Sequence, residues 1–284
     1  MAAVLTKGTT AFITGAGSGI GLAVAKKCAS VGMNVALADK NFEQVQKAKE
    51  NLSGKGGTVD AFEMDVSNWS DWDSTRTKLL QQFGGVDFLM LNAGTSEQGT
   101  WGDAEYFRKI METNLFGVIN GLNALLPTMH ESHKDISGKP AAIVITGSKQ
   151  GITNPPGNAA YNASKSAVKT LAEHLSFDLR HTGIGVHLLV PGWTYTGLTG
   201  GPPGGHGEKP SGAWWPEQVA DYMVQKMGDG KFYIICPDND VSQELDKKRM
   251  LWTARDLVNG RPPLTRWRED WKNEAAKGVE EMNV

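Results

Sequence analysis

Apolar residues along this chain fall into short unbroken runs, separated by longer stretches in which they recur every three or four positions. Runs at residues 9–13, 34–38, 58–64, 86–91, 141–146, 185–190 and 231–235 have the length of β-strands. The stretch Phe88-Leu-Met-Leu91 contains no polar position, as expected of a strand buried on both faces. Between these runs, residues 18–31 put Ile20, Val24, Ala25 and Cys28 on one side of a helix. Residues 42–52 predict a second helix, ended by the turn Ser53-Gly54-Lys55-Gly56-Gly57. Helical spacing returns over 69–83, 104–126, 158–180 and 216–227. Strands alternating with helices make right-handed parallel crossovers. The expected fold class is therefore α/β, a doubly wound Rossmann-like fold with about seven parallel strands and helices on both faces. No internal repeat is present.

Three stretches break the rhythm. Residues 194–216 are dense in Gly and Pro, so they form no regular element, and 194–215 are expected to act as a substrate lid. Residues 130–139 read as a long polar loop at the end of the sheet away from the functional site. His130 and His133 are expected to be solvated there, not metal-bound. Residues 238–284 are polar but carry Trp252, Trp267 and Trp271, which predicts a helix plus an arm packed on the domain or on a neighbouring subunit. The organisation expected is one Rossmann-type catalytic domain over 1–237 with an appendage over 238–284.

Composition narrows the function classes. Over 284 residues the formal net charge is −2, so no basic field argues for nucleic acid. The longest apolar runs are strand-sized, far short of the ~20 residues of a membrane-spanning helix, and no membrane partner is expected. Residues 1–7 lack a basic region followed by an apolar run and a cleavage site, which predicts cytoplasmic residence. Cys28 and Cys236 have no spacing suited to a metal or a disulfide and are expected to be buried reduced thiols.

The chemistry-bearing motifs lie at strand ends. Thr14-Gly-Ala-Gly-Ser-Gly-Ile-Gly21 joins the first strand to the first helix, where glycines let backbone approach a pyrophosphate and the helix N-terminus offers free N–H groups. Asp39 ends the second strand 18 residues after Gly21. A carboxylate there accepts hydrogen bonds from the ribose hydroxyls and repels a 2′-phosphate, so NAD(H) is expected in preference to NADP(H), with Lys40 as a nearby counterweight. Asp65, after the third strand, is placed either to meet the adenine edge or to cap a helix. Tyr161 and Lys165 are i and i+4 on one helix, so they share a face. A phenol near pKa 10 is a poor base alone, but an adjacent ammonium favours the phenolate. Ser148, at a strand's C-terminal end, suits a hydroxyl that positions a substrate oxygen.

The ordered set of the 14–21 run, Asn92-Ala93-Gly94, Ser148, Tyr161-Asn-Ala-Ser-Lys165 and Pro191-Gly192-Trp-Thr-Tyr-Thr196 resembles the short-chain dehydrogenase/reductase family in its ordinary single-domain form, over about residues 7 to 237. The resemblance implies an NAD(H)-dependent oxidoreductase interconverting a secondary alcohol and a ketone, with Tyr161 as general acid/base. Ser148 would hold the substrate oxygen, Lys165 the nicotinamide ribose, and Asn114 a water in a relay through Lys165. It further implies that Gly15, Ser18, Gly19, Ile20, Asp39, Asp65, Val66, Asn92, Ala93, Gly94, Pro191, Gly192, Thr194 and Thr196 line the cofactor, together with Tyr161 and Lys165.

The substrate side is expected at Ser148, Gln150, Asn154, Tyr161, Trp193 and Trp214, with Ile152 and Trp215 nearby. Several indoles suit a cyclic or aromatic alcohol or ketone, although Trp214 and Trp215 equally suit an anchor for the following helix. Two rival classes are an epimerase or dehydratase acting through a transient ketone, and a nucleotide-binding scaffold without catalysis. A homodimer or homotetramer is implied, through the helices over 104–126 and 158–180.

Overall fold

The computed structural model describes residues 3–54, 56–201 and 208–284. Seven parallel strands form one sheet: β1 (Thr10–Thr14), β2 (Asn34–Asp39), β3 (Val59–Glu63), β4 (Phe88–Leu91), β5 (Ala141–Thr146), β6 (Ile184–Val190) and β7 (Tyr233–Ile235). Their spatial order is β3-β2-β1-β4-β5-β6-β7. The chain runs outward from β1 to β3, returns to the other side of β1 with β4, and continues to β7. That reversal opens a crevice beyond the C-terminal ends of β1 and β4, where open α/β sheets take their ligands.

Alternate strand residues face opposite layers, as the pleat requires. Ile13, Leu37, Met90 and Val144 pack on the side of α1 (Gly19–Ser30), α2 (Phe42–Leu52) and α8 (Pro216–Gly228), meeting Val24, Val45 and Met223. Phe12, Ala36, Leu89 and Ile143 pack on the other side, against Trp72 and Leu79 of α3 (Trp69–Phe83), Leu125 of α5 (Gly117–Ser132) and Val168 of α7 (Ala159–Asp178). Trp72 is buried, meets Phe12 edge-on at 6.0 Å and donates its indole N–H to the Val66 carbonyl at 2.9 Å. Asn41 and Asn158 cap α2 and α7 by accepting the backbone N–H of Gln44 and Tyr161.

The helix expected over 104–126 is longer and interrupted. It starts as α4 (Ala104–Met111), widens into a π turn over Glu112–Phe116, and continues as α5 through Pro127 to Ser132. The helix therefore includes His130, and the polar loop begins only at His133. That side chain is buried, not solvated as expected. Its Nδ1 pairs with the Lys139 carbonyl at 2.9 Å and its Nε2 lies 3.4 Å from Asp87, whose other oxygen accepts the Thr10 N–H at 2.8 Å. A carboxylate at the start of β4 thus turns the imidazole inward.

The C-terminal appendage also differs from a helix plus an arm. Two helices, α9 (Gln243–Val258) and α10 (Lys272–Glu280), follow α6 (Gln150–Thr153), α7 and α8 in chain order, and a 3-10 turn at Thr265–Trp267 joins them. Trp252, Ala275, Val279 and Met282 form their own apolar cluster. The Trp252 indole donates to Thr265 at 2.8 Å, which in turn donates to Asp256 at 2.7 Å. No helix among the described residues is long and apolar enough to cross a membrane.

Candidate active site

A cleft of about 650 Å³ lies along the C-terminal ends of the strands, with Asp39 at one end and Tyr161 towards the other. Between β1 and α1 the backbone bends at Gly15 (φ 65°) and Gly19 (φ 53°), conformations that a side chain disfavours. Ser18 caps α1 in extended geometry without using its hydroxyl, and no acid occupies the helix's first turn. The positive end of α1 is therefore open to an anion. Asp39 is held in place by its neighbours: one oxygen accepts the Gly17 N–H at 2.9 Å and the other the Asn41 N–H at 3.0 Å. One Asp65 oxygen is taken up by both the N–H and the hydroxyl of Ser67, at 2.9 and 2.7 Å.

Asn92 ties three strand ends together. Its N–H donates to the Thr14 hydroxyl at 2.9 Å, its amide to the Thr14 carbonyl at 3.2 Å, and its carbonyl oxygen accepts from Thr146 at 3.1 Å. A Cβ on Gly94 would come within 3.3 Å of Asn114 and 3.6 Å of the Lys165 ammonium, so glycine leaves that corner open.

The helical pair lies on α7. Lys165 donates to the Thr146 carbonyl at 2.9 Å, and its ammonium is 5.8 Å from the Tyr161 ring centre. Burial pushes the Lys165 ammonium down to about 8. Burial likewise raises the Tyr161 phenol above its ordinary value, while its hydrogen bond with Ser148 pulls the other way. Asn114, fully buried in the π turn, accepts the Thr95 N–H at 2.8 Å and donates to the Thr95 carbonyl at 3.0 Å and the Ser164 hydroxyl at 3.1 Å. Its side chain is thus occupied behind the cleft. A hydroxyl and a phenol lining the same cleft, beside a buried ammonium, can exchange a proton with an oxygen placed against them.

Every residue expected at the dinucleotide lines the cleft, as do Ser148, Gln150 and Trp193 of the substrate set. Asn154 and Trp214 do not. Asn154 sits in the left-handed region and accepts from Asn162 at 3.2 Å, which fixes its side chain beside α7. Trp214 packs on the core with Tyr222 of α8 at 5.9 Å, which is the anchoring role left open for it. The roots of the expected lid are tied together: Trp214 donates to the Trp193 carbonyl and accepts from Tyr195, both at 2.8 Å. The part of that lid at 202–207 lies outside the described residues.

Thr113 and Lys149 also line the cleft without any sequence signal for it, and Leu198 and Thr199 join the lining from within the expected lid. Tyr106 is a further supporting residue: its hydroxyl donates to Asn158 at 2.6 Å and accepts the Ala160 N–H at 3.2 Å, bracing the start of α7. A tyrosine at helical spacing gives no hint of that. Among the described residues, no group of three or more His, Cys, Asp or Glu gathers as it would around a metal.

A family model described as short chain dehydrogenase matches residues 9–202. The chain is similar to the 1-deoxy-11-beta-hydroxypentalenate dehydrogenase of Streptomyces exfoliatus, 31% identical over 264 residues that cover 90% of this chain and 93% of that protein. Among solved structures it resembles a short chain dehydrogenase/reductase from Burkholderia phymatum in complex with NAD, with TM-score 0.79, 29% identity, and 90% of this chain and 96% of that one covered. It also resembles an alcohol dehydrogenase from Thermococcus sibiricus complexed with 5-hydroxy-NADP, with TM-score 0.67, 25% identity, and 78% and 90% covered.

Proposed function

The chain belongs to the short-chain dehydrogenase family, and from that premise we propose that it is an NAD(H)-dependent oxidoreductase interconverting a secondary alcohol and a ketone. The observation that carries this reading is the meeting of Ser148, Tyr161 and Lys165 in one cleft whose other end is closed by the Asp39 carboxylate. The cleft suits a dinucleotide: a glycine-bent loop at an open helix N-terminus for the pyrophosphate, and a carboxylate for a ribose. A nicotinamide held in this cleft would supply or accept the hydride and, when oxidised, would add a positive charge that favours the phenolate. The protein's own residues handle the proton. Ser148 donates a hydrogen bond to the substrate oxygen. Tyr161 takes the hydroxyl proton of an alcohol, or returns a proton to a ketone oxygen. Lys165 holds positive charge near the phenol and would hold the nicotinamide ribose, and Asn114, at the π turn behind it, would hold a water in a proton relay through Lys165. Gln150 and Trp193 wall the substrate, for which a cyclic or aromatic molecule is the reading.

Asp39 supports NAD(H) over NADP(H), because it lines the cleft with both oxygens fixed by the Gly17 and Asn41 N–H groups and a 2′-phosphate beside a fixed carboxylate is repelled. Residues 1–237 are read as the catalytic domain, 194–215 as its lid, and a cytoplasmic homodimer or homotetramer as the working form. The test is absorbance at the reduced-nicotinamide band with a panel of alcohols and ketones. Tyr161→Phe is expected to lower kcat by about a thousandfold or more while cofactor binding persists; equal rates for variant and wild type would refute the assignment. Asp39→Ala is expected to raise kcat/KM with NADP at least tenfold relative to NAD, and an unchanged ratio would remove Asp39 as the ribose reader.

A further inference from the structure

Lys149 follows Ser148 directly and caps α6. Its ammonium lies between two carboxylates from much later in the chain, 2.6 Å from Asp246 of α9 and 3.4 Å from Asp238 in the turn after β7. The three side chains are 16%, 6% and 5% exposed, respectively. A pair on the surface would say little, but charges taken this far from water persist only where the surroundings hold them. Burial lifts the Asp246 carboxyl above the usual carboxylate range, with Lys149 opposing, and Arg249 adds positive field from the same helix.

The cluster touches three walls of the cleft. Asp238 accepts the Trp193 N–H at 2.9 Å through the same oxygen that faces Lys149. A Cβ on Gly192 would lie 2.6 Å from that oxygen and 3.0 Å from the Lys149 nitrogen, so the 191–193 turn rests directly on the ion cluster. The next residue, Asn239, donates its amide to the Ser211 carbonyl at 2.6 Å and its N–H to that of Gly212 at 3.0 Å. It thereby holds the far root of the Gly- and Pro-rich run. On the other side α6 packs against both α7 and α9.

We propose that Asp246, together with Asp238, is a positioning residue: by holding Lys149 it fixes Ser148 and Trp193 relative to Tyr161, so that the C-terminal segment completes the substrate side of the site. The proposal rests on the reading of Ser148 and Tyr161 given above.

Asp246→Asn, Asp246→Glu and Lys149→Met in the full chain test it, by amide hydrogen exchange of the protein without cofactor and by steady-state kinetics. Asp246→Asn and Lys149→Met should each speed exchange at least tenfold at the Trp193 amide and across 149–153. The amides of β1, β4 and β5 should stay within twofold of wild type. In the same variants kcat/KM for the alcohol or ketone should fall at least tenfold, and Asp246→Glu should recover most of the loss. Unchanged exchange at Trp193 and 149–153, exchange raised equally throughout the sheet, or an unaltered kcat/KM would each overturn the proposal. Tyr161→Phe run alongside separates the two readings. Wild-type turnover there would remove the acid/base assignment, whereas exchange in the Asp246 variants reads the positioning alone.

Discussion

Lys165 is a buried ammonium on the lining of the cleft. In the unfolded chain its ammonium persists to about pH 10.5, but in the folded protein only to about 8. Between those values the folded state binds fewer protons than the unfolded one, so stability should rise as pH increases from 8 towards 10. Above 10 the raised Tyr161 phenol acts in the opposite sense, because the unfolded chain then loses a proton that the folded one keeps. The cost of burying the ammonium is on the order of 3 kcal/mol, and it is present in full below pH 8. Lys165→Met should flatten that rise; urea unfolding of both proteins at pH 8 and pH 10 measures it, and parallel slopes would show that this ammonium is not desolvated. Cys28 and Cys236, pushed up to about 12 by burial, stay thiols across the same range.

At the scale of elements, α6 is a single short turn whose place depends on close approach. A Cβ on Gly151 would lie 2.5 to 2.8 Å from the backbone and Cβ of Lys165, and the Ser166 hydroxyl donates to the Gly151 carbonyl at 2.7 Å. Gly151→Ala should therefore force α6 off α7 at a cost of about 1–3 kcal/mol. A lowered melting temperature together with a reduced kcat checks this; a variant that melts and turns over like wild type would contradict the packing. Such contacts explain which elements were readable in advance. The strands were legible because burial on both faces leaves unbroken apolar runs, as in Phe88-Leu-Met-Leu91. The lining of the cleft at Gly15, Gly19 and Asp39 was legible because glycines and an acid recur at fixed places along β1, α1 and β2. The π turn was not, since Glu112-Thr-Asn-Leu-Phe116 keeps an ordinary helical pattern and nothing in it marks the widened turn. His133 was misread because Asp87, which turns it inward, is far away in the sequence. Trp214 left two roles open until Tyr222 was seen to meet it.

For the molecule as a whole, the C-terminal pair of helices is a small body with its own apolar cluster, built around Trp252. Trp252→Ala should cost about 3–5 kcal/mol, concentrated in that cluster. Limited proteolysis should then cut within 243–284 while a fragment containing the sheet survives. Simultaneous loss of sheet and appendage would instead show that they unfold as one unit.

The ion cluster at Lys149 has a consequence for how the chain is made. Lys149 and Asp238 are 89 residues apart, and Asp246 follows later still. A polypeptide is built N-terminus first, at on the order of 10 residues per second, so translation takes on the order of ten seconds to pass from the lysine to its carboxylates. Throughout that interval the nascent chain already carries Ser148 and then Tyr161 and Lys165, but the residues that hold Lys149 do not yet exist. The order of translation therefore supplies the carboxylates around Lys149, on which the 191–193 turn rests, only after every strand of the sheet has been made.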